Sequence, residues 1–515
     1  MATVHHDRPD PRTTAAPRAT SARPPTVKIA GLRGNLPQKR PDTAQTGDLQ
    51  PGDAAPLDGS AASAGIWGDE TALVEEVLGW ASARVVSPTD PKSTARPSSS
   101  LAADAGRTIT AGGIGSAAAL RVFDQVLAPA TRAQDDPMNL AYIPAAPTRA
   151  AVAFDAATSA ANIFAGIWEA GAGAIFAENQ ALGWLIELLG WPDTADGTFV
   201  AGGTNGNLSA LHAARTTARD HRVRAGLSPR PAGGWKFACA DSAHSSIHSA
   251  ARVLDVEVVD VPVDATGRLD PQALRRALQS EDGVFAVVAS AGSTNAGILD
   301  DLAAIATVCT EAGVWLHVDG AYGGAALCAP SARPGFAGIE RADSFIVDPH
   351  KWLFAPYDCC ALIYRDARTA RAAHAQHASY LDTVDRQAPN PSDLAIHLSR
   401  RARGLPFWFS LATHGTDRYT AAVEQTLTVA REVAQGIRAT PHLRLLRDPD
   451  LTVLLFERLG WDDDQYRAWS QTQARDGVVL CLPTTWQGRT VLRLAFVNPA
   501  TRTDAVLAAL ASLAG

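Results

Sequence analysis

A lysine, an aspartate, a glycine-rich turn and a pair of histidines are the residues whose types and neighbours could do chemistry. Lys351 stands in SFIVDPHKWLFAP, just beyond a strand-forming run and a proline. Ligands in open α/β sheets bind beyond the carboxyl ends of the strands. Apolar flanks there predict a poorly solvated amine with a lowered pKa, suited to imine chemistry. Asp319 ends the apolar run VWLHVD and is followed by GAYGG. An ionised carboxylate at the end of a buried strand needs a partner. A protonated ring nitrogen is one, and the pairing keeps the ring a strong electron sink. In FVAGGTNGNLSALHAAR the small residues let backbone N–H groups approach an anion at a helix N-terminus, and Thr204 adds a hydroxyl. The pattern is neither a Walker A loop nor GxGxxG, which disfavours a nucleotide. His244 and His248, in ADSAHSSIHSAARVL, have the i, i+4 spacing that can hold a metal. No third ligand follows at a recognisable spacing, so no metal is expected. His244 reads better as a flat ring stacked on an aromatic cofactor, and His248 as structural.

Positioning such residues needs a sheet. From about residue 150, Ala-rich helical segments alternate with short apolar runs at 197–202, 236–240, 256–261, 284–290, 314–319 and 344–348. That alternation predicts a mostly parallel sheet in an α/β fold. Asp270 reads as a helix N-cap, with Pro271 at the first helical position. After about residue 410 the order changes to a helix over 417–439, two apolar runs, a helix over 464–476 and a hairpin closed near Gln487–Gly488. The expected division is a disordered tail over 1–65, a helical segment over 66–150, a large domain over 151–410 and a small C-terminal α/β domain over 411–515. Helices are predicted over 71–86 and 116–127, with a structureless stretch over 87–100 between them.

The bulk composition narrows the functions. The chain has 515 residues and a net charge of −7, which argues against nucleic acid as a main partner. Its six cysteines form no CxxC pair and read as reduced buried thiols. The N-terminus has no apolar signal region, and no apolar stretch is long enough to span a bilayer, so a cytoplasmic protein without membrane contact is expected.

The ordered set GGTNGN, AHSSIH, AGSTNAG, HVDGAYGG and DPHKW resembles the group II pyridoxal-5′-phosphate (PLP) amino acid decarboxylases, over about residues 120–500. That family includes aromatic-L-amino-acid, histidine and glutamate decarboxylases. The resemblance implies PLP fold type I, the aspartate aminotransferase-like architecture, and a homodimer with active sites at its interface. It implies that Lys351 carries the cofactor as a Schiff base, that Asp319 faces the pyridine nitrogen, that Ala321 packs under the ring and that His244 stacks over it. Thr294 matches a threonine near the phenolic oxygen. Thr204, Asn205 and Gly206 match the phosphate turn, with His350, Ser344 and Asp348 on the phosphate side. The family often carries Asn at Asp348, and a carboxylate there would be turned away from a phosphate or protonated.

The implied reaction is decarboxylation of an L-amino acid to the amine and CO₂. Tyr380 matches the loop tyrosine that protonates Cα, and VDRQAPNPSD after it reads as a mobile loop. Tyr142 and Pro144 match the family's N-terminal substrate segment, and Phe164 is a further substrate-side residue that compensates for the bulk missing at Gly166. Ile143 stands where aromatic-specific members often carry a ring, and Gly166 replaces a bulky residue. The resemblance therefore implies an apolar pocket of altered shape for an aromatic or bulky apolar amino acid. Arg400, Arg401 and Arg403 match a basic run and read as structural or interfacial. The alternatives are aldehyde-forming oxidative decarboxylation, another carbon–carbon lyase reaction and a non-catalytic PLP-fold scaffold.

Overall fold

The apolar runs become strands β1 (Asp196–Val200), β2 (Lys236–Ala240), β3 (Glu257–Val261), β4 (Val284–Ser290), β5 (Trp315–Asp319), β6 (Ser344–Val347) and β7 (Cys360–Tyr364). The structure is a computed structural model that describes residues 70–144, 146–376 and 388–514. These strands form one seven-stranded sheet in the order β1-β7-β6-β5-β4-β2-β3. Neighbours from β3 to β6 pair in parallel, whereas β7 is antiparallel to both β6 and β1. Because β7 is reversed against both neighbours, β1 runs the same way as β6. The carboxyl ends of β1, β4, β5 and β6 therefore lie on one edge, where such folds place their ligands.

Helices pack onto the sheet, and their ends are set by short-range chemistry. Asp270 caps Pro271–Ser280 by accepting from Gln272 N at 2.8 Å. The helix Gly203–Arg224 starts directly after β1 with Gly202 at φ 127°, a conformation that favours glycine. A second, four-stranded antiparallel sheet is ordered β10-β11-β9-β8, from β8 (Leu443–Leu445), β9 (Val453–Arg458), β10 (Leu482–Trp486) and β11 (Arg489–Ala495). Its hairpin turns at Gln487 and Gly488, both with positive φ, the signature of a two-residue type I′ turn.

Several expectations are corrected. The stretch 87–100 is not structureless, since a helix begins at Ser98 and Asp90 accepts from Lys92 N at 2.9 Å. The segment 116–127 is a helix over Ser116–Val122 that continues as a π-helical turn over Phe123–Leu127. The end of the expected mobile loop is fixed, because Asn390 is buried and its Oδ1 accepts from Trp168 N at 2.9 Å. The tail over 1–65 and Tyr380 lie outside the described residues. No helix among the described residues is long and apolar enough to cross a membrane.

Candidate active site

The turns that follow β1, β4, β5 and β6 meet around a cavity of about 260 Å³. Thr204, His244, Thr294, Asp319, Ala321, His350 and Lys351 all line it. Residues more than a hundred positions apart thus reach one place because parallel strands end there.

Beneath the cavity runs a hydrogen-bond network. Asp319 Oδ1 accepts from Ala321 N at 3.0 Å and Oδ2 from Asn207 Nδ2 at 2.9 Å. A carboxylate only accepts, so the Asn207 amide must turn its NH₂ toward Asp319 and its carbonyl toward His317. His317 Nε2 then donates to Asn207 Oδ1 at 2.8 Å, and the Ser344 hydroxyl donates to His317 Nδ1 at 2.8 Å. Burial pushes the His317 pKa well below the ordinary histidine value, despite the nearby Asp319, so the ring is neutral as this pattern requires. Asn207 also donates to Ser246 Oγ at 3.0 Å, and Ser246 Oγ lies 2.8 Å from His244 Nδ1. Ser246 N donates to the same nitrogen at 3.2 Å, so a neutral His244 carries its proton on Nε2.

Sequence reasoning singled out the two ends of this network, Asp319 and His244, and not Asn207, Ser246 or His317. One signal was present: His317 is a polar side chain inside an apolar strand run, and such groups are kept only when hydrogen-bonded. Ser344 belongs to this layer. It is buried, accepts from Trp315 Nε1 at 2.8 Å and does not line the cavity.

Lys351 Nζ lies 3.0 Å from Asp348 Oδ2. Burial alone would lower the lysine's pKa, but the carboxylates of Asp348 and Asp319 outweigh it and raise the pKa above the ordinary value. This corrects the expectation of a lowered pKa, because apolar sequence neighbours do not report the charges met through space. Asp348 is 2 % exposed and turned toward Lys351, and its Oδ1 has no N–H or O–H partner. His350 is held by the backbone of Cys359, whose N–H donates to Nδ1 at 3.1 Å. Burial, ahead of the opposing pull of Asp348, lowers its pKa.

The glycine turn is a close-packed cradle. A Cβ on Gly206 would stand 2.7 Å from Ile346 Cγ2, so this position admits no side chain. Gly206 is itself buried, and Asn205 and Gly206 spend their N–H groups on Gly202 O, leaving Thr204 as the member that lines the cavity.

The structure does not bring the substrate-segment residues to this cavity. Tyr142 is 65 % exposed, Pro144 is buried elsewhere, and Phe164 faces a surface hollow beside Arg400 and Arg401. Ile143 belongs to the main core. Gly166 is required by packing, since a Cβ there would meet Leu398 O at 2.1 Å and the Phe164 ring at 2.8 Å. The expected apolar pocket is not what the described residues line: Ser290, Ser293, Thr294 and Asp358 make much of the wall, and Tyr357 supplies an exposed ring 4.7 Å from that of His350. The three arginines are each paired with a carboxylate. Arg400 meets Glu178 at 2.7 Å, Arg401 meets Asp155 at 2.6 Å, and Arg403 meets Asp358.

The chain matches the model of the pyridoxal-dependent decarboxylase conserved domain over residues 119–458. It is 31% identical over 409 residues to an L-2,4-diaminobutyrate decarboxylase of Rhizobium meliloti, covering 76% of this chain and 80% of that one. It is 28% identical over 390 residues to an aromatic-L-amino-acid decarboxylase of Bacillus atrophaeus, covering 72% and 79%. In fold it resembles Oryza sativa TDC, solved with PLP and tryptamine, with a TM-score of 0.78, 22% identity and coverage of 89% and 98%. The donor set fits that cofactor: an amine, a strand-end carboxylate held by two N–H donors, and a helix N-terminus without side chains in the way. Bound PLP supplies an electron sink for the charge left at Cα when a carboxylate departs. The chain belongs to the pyridoxal-dependent decarboxylase family and is a PLP-dependent carboxy-lyase acting on amino acids.

Proposed function

We propose that Lys351 is the cofactor-bearing lysine and that the substrate is an aromatic or bulky apolar L-amino acid, released as the amine. The convergence of Lys351, Asp319 and the Thr204 turn on one cavity carries this reading. Asp319, fixed by Asn207 and the Ala321 N–H, offers a negative charge that keeps a ring nitrogen protonated. Ala321 leaves room for a flat ring, and His244, anchored through Nδ1, offers the opposite face. Thr294 stands beside them on a loop that Arg493 holds by donating to Thr294 O at 2.7 Å. Asp348 keeps the displaced Lys351 ammonium in place. Thr204 and His350 form the phosphate side at the cavity, on a turn that Asn205 and Gly206 shape from behind, with Ser344 supporting from beneath.

The exposed Tyr357 ring at the cavity supports an aromatic substrate. A second reading, an amine-bearing side chain, is favoured by the Asp358 carboxylate on the same wall, which is 40% exposed. The proposed assembly is a homodimer. Helices Thr71–Val86, Ser98–Ala105 and Ser116–Val122 bury none of their residues within one chain, and they or the adjoining turn expose Val74, Leu78, Phe123 and Leu127. Such a patch marks an interaction surface. In that assembly the exposed Tyr142 and Phe164 would serve the site of a second copy, with Pro144, buried in its own chain, shaping the segment.

The test is a panel of L-amino acids, including tryptophan, tyrosine, leucine and 2,4-diaminobutyrate, offered to PLP-loaded protein while CO₂, amine and aldehyde are scored together. Amine from the aromatic or bulky apolar members is the expected result. Turnover of the diamino acid alone supports the second reading. Aldehyde with peroxide in place of amine overturns the proposed product.

A further inference from the structure

Outside that cavity, three side chains with metal-ligating chemistry meet at the edge of the large sheet. Cys239 on β2 and Asp260 on β3 are register partners in a parallel pair, so their side chains leave the same face. The helix Ser245–Leu254 packs on that face, its Ile247 in one core cluster with Cys239 and Phe237, and it carries His248 in its first turn. Cys239 Sγ, a ring nitrogen of His248 and a carboxylate oxygen of Asp260 all lie within 4.8 Å of one another.

These groups are otherwise unspent. Among the described residues none of the three side chains has a hydrogen-bond or ion-pair partner. Most acidic side chains near the cavity, by contrast, are paired. Cys239 is fully buried, His248 half-buried and Asp260 exposed, so the trio opens to solvent on one side only.

We propose that Cys239, His248 and Asp260 form a binding site for a divalent cation of zinc type, with the fourth position taken by water. Thiolate, imidazole and carboxylate together suit zinc, whereas magnesium and calcium prefer oxygen alone. Tetrahedral zinc needs donor atoms roughly 3.3–3.8 Å apart, given bonds of about 2.0–2.3 Å. The exposed Asp260 side chain has the freedom to close the remaining distance. On binding, the S–H bond of Cys239 breaks, an S–metal bond forms and the proton passes to water, with no change of oxidation state. One proton leaves per ion, so affinity rises with pH. A bound ion would tie β2 and β3 to the start of the helix whose N-cap, His244, lines the cavity. The i, i+4 histidine pair thus supplies one ligand, and the others come from strands that no local spacing would reveal.

The experiment uses the full PLP-loaded chain, stripped with a chelator, desalted and dialysed against Zn²⁺ or Co²⁺. Bound metal is counted, and a sulfur-to-cobalt absorption is sought in the difference spectrum. One ion per chain with that absorption is the expected result. Cys239→Ser should abolish the absorption, and His248→Ala and Asp260→Asn should each weaken binding by at least about 10-fold, since losing even a supporting partner of a ligand costs about 10–100-fold. Asp260→Asn keeps the shape of an exposed side chain, so its effect cannot come from misfolding. No bound ion in the unmodified protein, or binding unchanged in Asp260→Asn and Cys239→Ser, overturns the site.

Discussion

The cavity floor and the outer wall that carries Tyr142 and Phe164, away from the cavity, are built by different means. The floor is closed within one chain: Asp319, Asn207, His317, Ser344, Ser246 and His244 satisfy one another across two strands and two helices. The wall is held from behind. Arg493 donates to Tyr142 O at 2.8 Å and Arg400 to Ala165 O at 3.0 Å, while the Tyr142 and Phe164 side chains face outward. The floor is thus preorganised by the sheet, where fixed dipoles need no rearrangement. The wall instead presents side chains that meet no partner in the cavity.

The largest expected effect breaks the wall. Arg400 and Glu178 are each 2 % exposed and joined by two short bonds. Arg400→Ala strands a buried carboxylate and should cost about 3–5 kcal/mol in denaturant unfolding. A cost below about 1 kcal/mol would mean that the wall does not hang on this pair.

A smaller effect is expected on the floor. Asn207→Ala leaves Asp319 Oδ2 and His317 Nε2 without partners. PLP affinity should fall by about 10–100-fold, the scale seen when a supporting partner is lost. Unchanged affinity would separate the network from cofactor binding.

The smallest effect concerns acid. His397 packs near Arg400 of the wall and His374 against His212, and both have pKa values lowered to about 4. Burial is the main cause for each, followed by His212 at His374 and by Arg400 and Arg403 at His397. A histidine that stays neutral when folded binds fewer protons than in the unfolded chain. Its contribution is complete above pH 6.5 and is lost as pH falls toward 4. Asp300, raised to about 6 by burial, acts in the opposite sense, so the informative quantity is the difference between variants. His397→Asn should flatten the loss of thermal stability between pH 6.5 and 4, and an unaltered slope would remove this histidine from the account.

Much of the floor was legible because its residues sit in short motifs at strand ends. The runs at 236–240 and 284–290 became β2 and β4 without adjustment. β7 was not foreseen, since an apolar run around Cys359–Cys360 does not say that a strand returns antiparallel between β6 and β1. The Lys351–Asp348 pair was missed for a related reason: three residues of spacing on a turn do not tell which way a carboxylate points. Gly166 read as a missing bulky side chain in a pocket of altered shape, yet the Leu398 carbonyl occupies that space. Contacts that depend on register or on distant backbone leave no local trace in the sequence.

The central claim is that Lys351 bears the cofactor. PLP-loaded protein reduced with borohydride, digested and mapped by mass spectrometry tests it most directly. The account predicts the reduced cofactor on Lys351 and its loss in Lys351→Ala. An adduct on another lysine, or one that survives that substitution unchanged, would contradict it.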